Sequence, residues 1–177
     1  MPKGLKQTSS QIVISFGLQE TAPNTFTSDR VDLQLNALDN EVFVVTGVKL
    51  DMSSPDFQIG AGSARYGVFA SLSKQDITQS TTRGLSNPSI MATASAITNV
   101  NSDGNALLGI TQMLENSADS PFHVDYVDII ATPDFYVNLN GVSQADEAEV
   151  QGKLYGYRAR ADASVYASLV QSELLSA

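Results

Sequence analysis

The sequence predicts an all-β, two-layer antiparallel domain finished by a short C-terminal helix. Three observations lead there. From about residue 11 to residue 161, short apolar-alternating segments follow one another, divided by Pro, Gly, Asn and Asp turn signals. That stretch shows no helical crossover between strands, which argues for an antiparallel sandwich or barrel. From Asp162 onward the apolar period changes to that of a helix.

The alternation is clearest in Val31-Asp32-Leu33-Gln34-Leu35-Asn36, where every second side chain is apolar. Successive strand side chains point to opposite faces, so such a run has one dry and one wet face. A first strand is expected over residues 11–18, with Ile12, Ile14 and Phe16 on one face, and Ala22-Pro23-Asn24 breaks it. The second spans residues 30–38 and turns at Asp39-Asn40. The third, residues 41–52, is the most apolar. Val42, Val44, Val48 and Leu50 on one face and Phe43 and Val45 on the other predict cover on both sides.

Tyr66, Val68, Ala70 and Leu72 alternate in a fourth strand over residues 65–73, before a long polar loop over 74–88. Further strands are expected over 89–100, 107–113, 122–131, 135–139 and 150–161. Turns fall at Asn101-Ser102-Asp103-Gly104-Asn105 and Thr132-Pro133-Asp134. About eight or nine strands in roughly 150 residues match a single jelly-roll sandwich best and an immunoglobulin-like sandwich second.

In the tail, Val165, Tyr166, Leu169, Val170 and Leu174 lie along one side of a helix, and Asp162 is placed to cap its start. A helix of this length is marginal alone and must dock on its own domain or on a neighbouring subunit. The expected organisation is a flexible arm over residues 1–10, a β domain over 11–161 and an amphipathic helix over 162–177.

Composition removes several classes of function. The chain has 177 residues, enough for one domain, with 42% hydrophobic and 16% charged residues. The net charge is −9 and the pI is near 4.3. Such a surface repels phosphate backbones, and the ten basic residues are scattered, so strong direct nucleic-acid binding is disfavoured. Lys3 and Lys6 alone form a small acid-free basic start. The absence of cysteine removes disulfide frameworks and thiolate metal sites. The start lacks a signal-peptide pattern, and no segment approaches the roughly 20 apolar residues of a membrane span. A soluble protein made in a cytoplasm is expected.

Catalytic equipment is thin. His123 near Asp125 is the sole group titrating near neutrality, and with no Gly-x-Ser-x-Gly elbow it reads as a loop-anchoring histidine. Asp146, Glu147 and Glu149, and Asp51 with Asp56, lack calcium-loop spacing and read as solvated acidic loops. Gly60-Ala61-Gly62 lacks the third glycine and following helix of a phosphate loop. No catalytic residue, cofactor or metal ligand is assigned. Tyr155, Tyr157, Arg158 and Arg160 form the one compact aromatic and basic group, with both tyrosines on one strand face and both arginines on the other. Such groups are common at protein interfaces.

The runs from Leu33-Gln34-Leu35-Asn36 to Glu41-Val42-Phe43-Val44-Val45, and Gly156-Tyr157-Arg158-Ala159-Arg160-Ala161-Asp162-Ala163, resemble coat-type proteins of viruses that infect microbes, marine ones especially. The family implied is the single jelly-roll capsid proteins, whose eight-stranded domains tile a closed shell. The resemblance implies a non-enzymatic coat or minor capsid protein of the virion, with copies of itself and other capsid proteins as partners. The chain departs from many small coat proteins in lacking an arginine-rich arm, so the genome would be neutralised by something else. The residues expected at assembly contacts are Tyr166, Leu169, Val170 and Leu174, then Tyr155, Tyr157 and Arg158. Removal of the tail is expected to abolish oligomers and leave the β domain folded. The alternative is a carbohydrate- or receptor-binding module using residues 74–88 and 101–105, with Tyr66 or Tyr136 as a stacking platform.

Overall fold

Among the described residues, ten strands and one α-helix follow in the order β1 (Leu5–Gln7), β2 (Ile12–Gln19), β3 (Thr27–Asp32), β4 (Glu41–Met52), β5 (Ala64–Ser73), β6 (Ile90–Asp103), β7 (Ala106–Asn116), β8 (Asp128–Ile130), β9 (Asp134–Val142), β10 (Glu149–Ala161) and α1 (Ala163–Leu175). The structure is a computed structural model that describes residues 4–57, 64–78, 84–103, 106–116 and 125–175. One sheet runs β2-β10-β4-β8, with the short β1 also on the free side of β10; the other runs β3-β9-β5-β6-β7. Every pairing is antiparallel.

With β1 and β7 set aside, the remaining strands, ranked first to eighth along the chain, stand in the orders 1-8-3-6 and 2-7-4-5. That interleaving of two Greek keys is a jelly roll. The sequence-based expectation of a single jelly-roll sandwich with a short C-terminal helix therefore holds. Its core lies between the sheets. Phe43, Val45, Val48, Leu50, Val150 and Leu154 come from one sheet and Val68, Leu72, Phe135, Val137 and Leu139 from the other. Phe16 meets Phe135 edge-on, with ring centroids 5.7 Å apart.

β4 is buried on both faces, as its sequence predicts, although the faces differ from simple alternation. Its register against β10 slips between Tyr155↔Gly47 and Gly156↔Val45, leaving Thr46 as an extra residue. This β-bulge reverses the parity of everything after it. Val48 and Leu50 therefore join Phe43 and Val45 in the inner core, and Val42 and Val44 alone face outward.

The second strand stops at Asp32, well short of residue 38. Gln34 takes a left-handed backbone with φ of 53°, and the Asp32 carboxylate accepts its N–H at 2.6 Å. This local turn outcompetes the alternating pattern. Leu33 still reaches the core, and its N–H bonds to the Pro133 carbonyl at 2.7 Å. Asn36 then caps a single 3-10 turn over Ala37–Asp39. Elsewhere β6 continues to Asp103, three residues into the expected turn, and β8 shrinks to Asp128–Ile130. The expected arm over residues 1–10 is not loose at Leu5–Gln7, which pairs with Ala159–Ala161. Too short to show a period, β1 exists because β10 offers it an open edge.

Gly156 lies where β10 crosses the core, and a Cβ there would collide with the Val44 carbonyl and the Phe43 ring. Gly156→Ala is expected to lower stability by about 1–3 kcal/mol, the usual range for overpacking, as read by urea denaturation.

Candidate assembly surface

The residues expected at assembly contacts lie for the most part against their own domain. α1 crosses the outer face of the β10–β4 sheet, where Val165, Tyr166, Leu169 and Val170 pack with Tyr157 against Leu5, Val42, Val44, Ala131, Ala159 and Ala161. Burial, with the negative charge of Asp125 adding to it, pushes the Tyr157 phenol up. Asp162 starts the helix by accepting the Tyr166 N–H on its backbone carbonyl at 2.9 Å. The Leu174 side chain lies outside the described residues.

Glu173 fastens the far end of this helix and was not singled out in the sequence. It is 3% exposed, and its carboxylate accepts the N–H groups of Ala131 at 2.9 Å and Thr132 at 3.0 Å. The Gln75 side-chain amide donates to its backbone carbonyl. Burial raises the Glu173 carboxyl above the ordinary carboxylate range, against the pull of those N–H donors and of Lys74. One glutamate near the end of a polar tail carries no pattern that marks it as buried.

The tyrosine and arginine faces of β10 separate as the sequence predicts. Tyr155 is half-buried on the outer face, where it lines a cleft with Ser15, Lys49 and Lys153. Arg158 points the other way, donating to the Leu33 carbonyl at 3.1 Å and lying 3.9 Å from Glu41. Arg160 pairs with Asp39 at 2.9 Å on the surface. Both arginines thus tie β10 to the turn after β3.

His123 and Gly60-Ala61-Gly62 lie outside the described residues. Asp51, Asp56, Asp146, Glu147 and Glu149 are exposed, and among the described residues no three acidic or histidine side chains gather as a metal site. No helix among the described residues is long and apolar enough to cross a membrane. Tyr66 and Tyr136 sit at opposite ends of β5, since Tyr136 pairs with Ser73. Seven residues of strand, roughly 23 Å, separate them.

The apolar surface left open is on β7. This strand forms one end of its sheet, paired to β6 and to no other strand among the described residues. Leu108 and Leu114 are 70% and 78% exposed, and Leu107, Ile110 and Met113 are exposed beside them. The cause is an overhang. The sheets face each other through β2 over β3 and β9, and β4 over β5 and β6. β7 is a fifth strand opposite a sheet whose last member, β8, has three residues. Ile110 and Leu114 pair with Val100 and Ala96, so they extend the core-facing side of the sheet. Leu114 also lines a cleft of about 370 Å³ with Leu50, Met52, Pro55 and Ala96. Exposed apolar side chains gathered on one edge strand make it a candidate interaction surface.

A sequence signal for it exists. Between Arg83 and Glu115 the single charged residue is Asp103, in a chain with 29 charged residues. Alternation alone shows β7 as an ordinary strand; the scarcity of charge is what sets the 84–114 stretch apart.

The class these features define is a jelly-roll protein with a helix-covered outer sheet face and an open apolar edge. No protein-family model matches the chain, and no curated protein matches it. Among solved structures, the VP1 of Trichodysplasia spinulosa-associated polyomavirus is similar at 9% identity, covering 92% of this chain and 97% of that one with a TM-score of 0.34. The fold assignment rests on the strand order given above.

Two outcomes follow for the tail. Truncation after Asp162 uncovers Val42, Val44 and Ala159, so the β domain is expected to lose about 3–6 kcal/mol and to bind a hydrophobic dye, contrary to a dispensable tail. A carboxyl whose folded pKa is raised holds its proton more tightly when folded. Its stabilisation is complete below the unfolded value and is lost as pH rises through the folded one. Thermal melts across pH should show wild type losing stability relative to Glu173→Gln over that window; parallel curves would refute the assignment.

Proposed function

We propose that this protein is a non-enzymatic structural subunit of a virus particle that works by contact with copies of itself. The observation that carries the reading is the exposed apolar edge strand β7 on an otherwise acidic, rigid sandwich. Jelly rolls serve as capsid and lectin domains, so the fold is compatible with a shell without requiring one. The resemblance of the 33–45 and 156–163 segments to coat-type proteins of microbial viruses supports the capsid branch. The proposal places the protein in the virion, beside copies of itself and other capsid proteins.

The assembly contact is assigned to β7. Tyr157, Tyr166, Leu169 and Val170 are engaged on their own sheet and Arg158 on Leu33, while Tyr155 remains open to a neighbour. The acidic body carries Lys6 on β1, where it pairs with Arg160, and no basic cluster that would hold a genome by itself.

One observation favours the alternative of a carbohydrate-binding module. A cleft of about 520 Å³ is lined by Tyr136 together with Lys74, Asp76, Asn87 and Asp134, an aromatic with polar groups around it. Selective glycan binding by a monomer, lost in Tyr136→Ala, would establish that reading instead.

Light scattering over a wide concentration range, with negative-stain microscopy at the top of it, tests assembly. Masses at multiples of 18.8 kDa and regular rings, capsomers or shells are expected. A single 18.8 kDa particle at every concentration would defeat the proposal.

A further inference from the structure

The outer face of the β2-β10-β4 sheet carries a charge arrangement that works against the fold. α1 covers the end of this face that holds Val42, Val44, Ala159 and Ala161. Towards the other end, Lys153 of β10 stands directly opposite Lys49 of β4 on one side and Ser15 of β2 on the other. All three side chains point outward, because their neighbours along the chain, Ile14, Phe16, Val48, Leu50 and Leu154, pack into the core. Like charges directly opposite on paired strands are destabilising. The pair is also unexpected, since the chain has 19 acidic residues for ten basic ones. Arg30, Lys74, Arg158 and Arg160 each have a carboxylate within ion-pair reach; among the described residues neither Lys49 nor Lys153 has one. Asp51, two residues along β4 on the same face, engages neither lysine.

The lysines face a concave surface. With Ser15, Asp51, Gln151 and Tyr155 they line a cleft of about 340 Å³, within the roughly 300–1,000 Å³ of small-molecule sites. The next row of the sheet is Gly47, Tyr155 and Val13. The Tyr155 ring reaches towards Gly47, where a Cβ would stand 4.0 Å from Tyr155 Cδ2. On its other side Val13 is 50% exposed. An aromatic and apolar ledge therefore lies one row from the lysine pair, roughly 7 Å along the strands.

We propose that this cleft binds a small organic anion, with its acid group between Lys49 and Lys153 and its apolar body on Tyr155 and Val13. Lysine binds such groups as a point charge. An anion between the two ammonium groups replaces their mutual repulsion with two attractions, and the Ser15 hydroxyl beside Lys153 can donate to the same group. The rest of the acidic surface repels a long polyanion, whereas a small one meets only the cleft. The cleft lies on the other sheet from β7, so this inference does not rest on the assembly reading.

Calorimetric titration of the full chain with phenyl phosphate, inorganic phosphate and benzoate, at fixed ionic strength, tests the proposal. One saturable site per chain is expected, weakening as salt is raised. Phenyl phosphate should bind more tightly than inorganic phosphate, and Tyr155→Leu should remove that difference. Whichever of phenyl phosphate and benzoate binds more tightly identifies the acid as phosphate or carboxylate. Lys49→Gln and Lys153→Gln, both at exposed positions, should each weaken binding about tenfold or more, the usual loss of a charge-assisted contact. Without ligand, both variants should melt no lower than wild type, because each removes a repulsion; a merely structural lysine would lower the melting temperature. No saturable binding of any of the three probes would overturn the proposal. So would undiminished binding by the folded lysine variants, or a preference for phenyl phosphate that survives Tyr155→Leu.

Discussion

The antiparallel pairing of β10 with β4 is the constraint on which the rest depends. β10 takes β4 on one side and both β1 and β2 on the other, so it organises its whole sheet. Both strands are apolar on both faces. The inner face is answered by the second sheet, and the outer face, with Val42, Val44, Ala159 and Ala161, needs a cover of its own. The chain supplies it immediately, because α1 begins two residues after β10 ends and folds back over that face. The carboxylate of Glu173 on Ala131 and Thr132 closes the far end.

That arrangement has a consequence for function. A helix committed to its own sheet is poorly placed to bridge subunits, so under the proposed assembly the apolar contact falls elsewhere. The second sheet is one strand wider than the sheet it covers, and among the described residues the extra strand, β7, pairs on one side only, with β6. The other exposed apolar side chains, such as Val13, Leu38 and Leu85, are scattered singly, which is ordinary for a protein surface.

Much of this architecture was legible in the residues, in proportion to how local its causes are. β4 spans the expected residues 41–52, because a long β-branched run between turn signals admits few other states. The opposed faces of β10 were equally readable, since that strand is unbroken by a bulge. What failed was set by tertiary context or by a single side chain. The alternation of residues 31–36 suggests a continuing strand, yet Asp32 captures the Gln34 N–H and turns the chain. The bulge at Thr46, which moves Val48 and Leu50 to the other face, follows from the fit of β4 to β10 and leaves no mark in composition. β1, at three residues, is created by its partner.

The candidate assembly surface divides along the same line. Amphipathicity identifies the tail helix as something that must dock, and it holds equally for docking in cis or on a neighbour; only the position of the outer sheet face decides. Hydrogen exchange at low and high protein concentration would read that division most directly. Amides of Ala106–Leu114 are expected to gain protection as copies associate, while those of α1 and β10 are protected at both concentrations. Protection gained in α1 with none in β7 would contradict it.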